Sequence, residues 1–194
     1  MIDEKFVFLA VILNLVGGFS YLIDTLKGKV KPNKVSWLIW GVAPMIAFAA
    51  QVKQGVGLPS LMTFAVGFSP LLIFIASFLN KKAEWKLSTF DIFCGTLSVI
   101  GLILWFYTRV GNTAILFSLL SDGLAGIPTI IKAYKAPETE AYLAYLLALI
   151  AAIITLLTIK QWDFAHSAFV IYIFILNLIV FPLIKFKLGQ RIRF

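Results

Sequence analysis

One aspartate, Asp122, stands in the middle of an apolar run from Thr113 to Ile131. It lies nine residues into that run, or about 14 Å along a helix. That is close to mid-depth in a hydrocarbon core roughly 30 Å thick. A carboxylate at that depth must pair, take up a proton or face water, which makes it a functional candidate. Asp122 is therefore a candidate both for binding a polar solute and for proton coupling. The competing reading is a structural aspartate, protonated or hydrogen-bonded inside a bundle.

Ser118, Asp122, Gly126 and Thr129 recur at spacings of four, four and three, which places them on one helix face. Asn14, Gly18, Tyr21 and Thr25 trace the same face in an earlier apolar run. Such a stripe lines a cavity or forms a packing seam, since small residues let membrane helices approach closely. Asn177 is the strongly polar side chain deep in the last apolar run. Trp37 and Trp40 flank Leu38-Ile39. Their indoles suit stacking on a ring or an interfacial aromatic belt. Pro44, Pro70, Pro128 and Pro182 all fall inside apolar runs. They would act as hinges or as static kinks.

These residues need helices to position them. The chain has 194 residues, 61% hydrophobic and 13% charged, whereas a soluble domain carries about 25% charged residues. An apolar solvent accounts for that excess. Seven spans are predicted at Phe6–Leu26, Val35–Val52, Leu58–Leu79, Thr89–Tyr107, Thr113–Ile131, Ala141–Ile159 and Ser167–Ile184. The run from Phe6 has no basic leader and is expected to be a span, not a cleaved signal.

Lysine and arginine alternate in density between the two sides. Thirteen, from Lys27 to Arg193, fall on one side, and Lys5, Lys53, Arg109 and Lys160 on the other. The positive-inside rule then places the C-terminus in the cytoplasm and the N-terminus outside, in a plasma (inner) membrane. Trp85, Trp105 and Trp162 fall near expected interfaces.

The two halves also echo each other. Asn14-x-x-x-Gly18 corresponds to Asp122-x-x-x-Gly126 at an offset of 108, and Val52-Lys53-Gln54 to Ile159-Lys160-Gln161 at 107. Each first span leads to a proline-bearing basic loop, through Pro32 or Pro137. The expected organisation is a first three-helix repeat over 1–80, a linker helix over 81–111, and a second repeat with a basic tail over 112–194. The repeats run parallel, a transporter plan with the solute site between them near the midplane.

This all-α, 3+1+3 arrangement resembles the SWEET sugar transporters and the wider PQ-loop superfamily. That superfamily includes lysosomal amino-acid exporters and the KDEL receptor, and the bacterial nicotinamide-riboside carriers share its fold. The local likeness is the stretch Asp122 to Lys135, with Gly126, then Pro128 where the motif proline stands, then a basic helix end. Thr129 replaces the motif glutamine, and Ser20 and Tyr21 occupy the motif places in the first repeat. Asn177 resembles the sugar-binding asparagine of SWEET proteins, while its counterpart in the third span falls near Ser69-Pro70. The Trp37/Trp40 spacing resembles aromatic pairs of the nicotinamide-riboside carriers.

The resemblance implies a carrier for a small polar solute, a sugar first, moved by alternating access. A vitamin, nucleoside or amino-acid carrier of the same fold remains open, as does a non-transporting receptor or assembly protein. The bilayer is the expected surrounding, and a homo-oligomer is an option. No enzyme, cofactor, metal or nucleic-acid role is expected. No nucleophile motif or phosphate loop is present, and His166 has no second histidine to make a zinc site. Cys94, the single cysteine, reads as a small buried hydrophobe. Asp24 and Asp91 are expected to be solvated partners of lysines, and Glu138 and Glu140 to be surface charges.

Overall fold

The computed structural model describes residues 2–108 and 111–191, the side chains of 101, 102 and 104–108 excepted. Arg109 and Arg193 of the charge count lie outside the described residues, as does the side chain of Trp105. Seven long helices follow one another: α1 (Phe6–Leu26), α2 (Lys34–Lys53), α3 (Ser60–Ala76), α4 (Thr89–Thr108), α5 (Gly111–Lys135), α6 (Tyr142–Thr158) and α7 (Phe164–Lys185). A four-residue α8 (Leu188–Arg191) ends the described chain, and short 3-10 turns lie at Lys81–Ala83 and Pro137–Thr139. No strand occurs among the described residues.

Four helices, α1, α2, α5 and α7, are long and apolar enough to cross a membrane. Helices α3 and α6 are apolar over seventeen residues each, and α4 is apolar through Ile100. Polarity is arranged inside out. Helix α1 turns Phe8, Ile12, Val16, Phe19 and Ile23 outward and buries Ala10, Asn14, Gly17, Gly18, Tyr21 and Thr25. Helices α4 and α7 likewise expose Phe90, Phe93 and Ile100, and Ile171, Ile175 and Leu178. Water would reject so continuous an apolar belt, whereas lipid chains accept it. The described fold is an all-helical bundle whose apolar outer face is compatible with a membrane.

Local chemistry sets the helix ends. The Asn33 side chain accepts from the N–H groups of Val35 and Ser36 and starts α2. Asp163 accepts from the His166 N–H at 3.0 Å and starts α7. That cap draws α7 back to Phe164, three residues before the Ser167 expected from hydropathy. Gly28, Gly55 and Gly57 take positive φ in the turns that follow α1 and α2, where a Cβ would be strained.

Helix α3 packs against both α1 and α2, and α7 against both α5 and α6. Helix α1 also packs on α6, α2 on α5, and α4 on α5 with a lesser contact to α2. The α1/α3 contact is close because Gly18 has no side chain: a Cβ there would lie 2.3 Å from Ser69 Oγ. Helices α4 and α5 are joined by a reciprocal pair of hydrogen bonds. Ser98 Oγ donates to the Ser121 carbonyl at 2.8 Å, and Ser121 Oγ to the Ser98 carbonyl at 2.9 Å.

Two expectations about charge are corrected. Glu140 is buried, not a surface charge, because Lys132, Tyr21 and Tyr145 all donate to it. Asp91 is also buried, its carboxylate accepting from the Ser88 N–H at 2.6 Å in the first turn of α4. Asp24, by contrast, lies partly exposed 3.7 Å from Lys29.

Candidate functional site

Among the described residues, every long helix except α4 contributes to one central cavity of about 80 Å³. Helix α1 brings Asn14 and Gly18, and α2 brings Trp37 and Trp40. Val66, Ser69 and Pro70 come from α3, Asp122 from α5, Ala144, Tyr145 and Ala148 from α6, and Ile173, Leu176 and Asn177 from α7. Seven lining residues thus come from α1–α3 and seven from α5–α7.

These residues fall into pairs along the sequence. Asn14 and Asp122, Trp37 and Tyr145, and Trp40 and Ala148 are 108 positions apart. Val66 and Ile173, Ser69 and Leu176, and Pro70 and Asn177 are 107 apart. The separations equal the 107 and 108 offsets of the repeat expected from the sequence.

Among the described residues Asp122 carries the one carboxylate of the lining, and no lysine, arginine or histidine joins it. Tyr172 O–H donates to its Oδ2 at 2.6 Å, while Oδ1 is buried without a hydrogen-bond partner. The Oδ1 of Asn14 and the Nε1 of Trp37 are buried without partners as well. Trp40 Nε1 donates to the backbone carbonyl of Asp122 at 3.2 Å. Ser36 Oγ donates to that of Ala125 at 2.6 Å. Pro128 follows in α5 and has no N–H to return to the preceding turn. The two α2 side chains give that turn hydrogen bonds from a neighbouring helix.

Five of the six residues expected to bind solute, Asn14, Trp37, Trp40, Asp122 and Asn177, are thus brought to one cavity. Asn177 also donates from Nδ2 to the Ile173 carbonyl at 2.8 Å. Ser118 does not line the cavity; it is buried one turn before Asp122 with its Oγ unpartnered. Gly18 lines the cavity and closes against α3, whereas a Cβ on Gly126 would meet Leu176 at an ordinary 3.4 Å. Pro44, Pro70, Pro128 and Pro182 lie inside α2, α3, α5 and α7 respectively.

Tyr172, Tyr145 and the pair Lys132/Glu140 escaped the sequence reading. A tyrosine in an apolar run carries no sign of which partner it will meet. Beyond the cavity, at the lysine-rich end, the Tyr21 ring packs 4.4 Å from Trp37 and 6.5 Å from Tyr145. Tyr21 and Tyr145 donate their hydroxyls to Glu140 Oε2 at 2.8 and 3.0 Å, and Lys132 Nζ donates to Oε1 at 2.7 Å. Lys132 Nζ also donates to the Lys31 carbonyl and lies 4.9 Å from the Trp85 ring centre. A backbone bond from Lys31 N–H to the Thr139 carbonyl at 3.0 Å joins the two loops at this end. Toward the other end, Met62, Phe169 and Val170 pack among alanines of α1, α2 and α6. A polar network thus lies beyond one end of the cavity and apolar packing beyond the other.

At that other end Asp163 pairs with His166, Oδ1 to Nδ1 at 2.7 Å. Hydrogen bonds from the His166 side chain and backbone hold the Asp163 carboxyl below its ordinary range. No protein-family model matches the chain, and neither a curated protein nor a solved structure matches it.

Proposed function

We propose that the chain is a membrane carrier of a small polar solute, built as two parallel three-helix repeats, α1–α3 and α5–α7, with α4 as the linker helix. The observation that carries this reading is the cavity, walled by seven residues from each group of helices, most of them paired at offsets of 107 or 108. The packing supports it too. Exchanging α1 with α5, α2 with α6 and α3 with α7 turns the α1/α6 contact into α5/α2 and the α1/α3 contact into α5/α7. Two units related in this way, with a polar site between them, can rock about that site and open it to each face in turn.

The lysine-rich end faces the cytoplasm and the N-terminus lies outside, in a plasma or inner membrane. In that orientation the Lys132/Glu140 network is the cytoplasmic closure and the Met62/Phe169 packing the outer one. The cavity is smaller than the roughly 300 Å³ at which sites for larger ligands begin. A sugar, the first class by resemblance to SWEET transporters, would need the helices to part further than in this arrangement.

The test is flux through the full chain in proteoliposomes, with labelled sugars, amino acids, nucleosides and amines, with and without a proton gradient. Saturable uptake of at least one solute, abolished by filling the cavity with Ala148→Trp, is the expected result. Gradient-driven uptake that survives unchanged in Asp122→Asn would remove the proton-coupling role. Binding of a peptide or protein without any flux would replace the carrier with a receptor of the same fold.

A further inference from the structure

The cavity chemistry narrows the solute, and the argument rests on the carrier reading of the same site. Among the described residues the lining offers one carboxylate and no basic group, so an anionic or zwitterionic solute would bring in an unpaired negative charge. Asp122 Oδ1 and Asn14 Oδ1 are both buried hydrogen-bond acceptors without partners, and they stand at matching positions on α5 and α1. Tyr172 occupies the other carboxylate oxygen at 2.6 Å, which fixes the carboxylate and keeps Oδ1 as the open acceptor. The rings of Trp37, Trp40 and Tyr145 line the same cavity, and an aromatic face attracts a cation.

We infer that the central cavity binds a primary ammonium group, placed between Asp122 and Asn14 and walled by Trp37, Trp40 and Tyr145. An ammonium carries three N–H donors and no acceptor, which matches the two open oxygens and leaves the unpartnered Trp37 Nε1 donor to another partner. A quaternary ammonium has the charge but no N–H, so both oxygens would stay unsatisfied. A neutral alcohol has a single donor and no charge for Asp122. A bare hard cation takes about six or more oxygen ligands, and indole and aliphatic walls do not supply them. The volume of about 80 Å³ is roughly half that of a cavity of about 150 Å³ that holds benzene. Small alkylamines fit a cavity of this volume.

The test uses the full chain purified in detergent, with radiolabelled methylammonium as the probe and tryptophan fluorescence as a second readout of Trp37 and Trp40. Saturable binding is expected, displaced by ethylammonium and at least tenfold less well by tetramethylammonium, ethanol or sodium. Asp122→Asn should weaken methylammonium at least tenfold, and Tyr172→Phe, which keeps the carboxylate but frees it to turn, by a smaller factor. The ligand comparison on the unaltered chain decides the matter even where a variant fails to fold. Equal displacement by tetramethylammonium or ethanol, or absence of methylammonium binding, overturns the ammonium site. If the same protein then carries a sugar in proteoliposomes, the carrier reading survives without it. If methylammonium binds yet no solute of the panel crosses the bilayer, the ammonium site stands and the carrier reading falls.

Discussion

Replacing Glu140 by glutamine keeps the shape of the side chain and removes its charge, and the surroundings set the cost. The Lys132 and Glu140 side chains are 1% and 0% exposed, so solvent does not screen the pair. Glu140 accepts three donors, from Lys132, Tyr21 and Tyr145. An amide offers one oxygen in place of two, and its N–H₂ group must face either the ammonium or the hydroxyls. Removing one member of a buried pair leaves the other charge uncompensated, at a cost of about 3–5 kcal/mol. For a chain of this length about 1 kcal/mol corresponds to roughly 2–4 °C in Tm, so Glu140→Gln should lower Tm by roughly 6–20 °C. Lys132→Met should do the same from the other side. The double variant should recover much of the loss, with a coupling energy toward the top of the roughly 0.5–3 kcal/mol range for residues in contact. Thermal unfolding in detergent, followed by tryptophan fluorescence, measures all three. Single variants that shift Tm by less than about 2 °C, or a double variant as poor as the sum of both, would refute the buried pair as a structural closure.

The close helix approach at Gly18 predicts that Gly18→Ala destabilises by about 1–3 kcal/mol through overpacking, and that adding Ser69→Gly restores stability. Gly126→Ala, which meets only ordinary contacts, should stay within about 0.5 kcal/mol of the parent; equal losses at the two glycines in a melting assay would contradict the packing. Ser98→Ala removes the bond from Ser98 Oγ to the Ser121 carbonyl but leaves Ser121 Oγ its acceptor, the Ser98 main-chain carbonyl, and should cost about 0.5–1.5 kcal/mol, read by the same melts. The hydrogen-bonded Asp163 carboxyl, held below its ordinary range, contributes its share of stability above the unfolded carboxylate value and loses it as pH falls through the lowered folded value. Melts between pH 7 and pH 3 should therefore show an acid loss that Asp163→Asn reduces; an identical acid profile in the variant would remove the cap from the account.

Helix positions were legible because lipid and protein divide the side chains so sharply. Helix α1 coincides with its apolar run, and α5 extends beyond its run by the Gly111 and Lys135 turns that hydropathy undervalues. The cavity was legible where polar residues interrupt apolar helices, as at Asn14, Asp122 and Asn177. What the sequence hid depends on distant partners. Glu140 sits beside a basic loop and reads as a solvated charge, yet one of its donors, Tyr21, is 119 residues away. Tyr172 reads as one more aromatic in an apolar helix, and only the α5/α7 packing sets its hydroxyl on Asp122. Pairing that local pattern cannot specify becomes visible only when the helices are assembled.

The central claim is that one cavity between two repeated units opens to each face of the membrane in turn. Its most direct test places a single reporter in that cavity: Ala148→Cys in a Cys94→Ala background, since Cys94 is the one native cysteine and is buried. A membrane-impermeant thiol reagent is then applied to oriented vesicles from one side at a time. The account predicts labelling from both sides, slowed from both by a bound solute. Labelling from one side only, under every condition of solute and gradient, would contradict it.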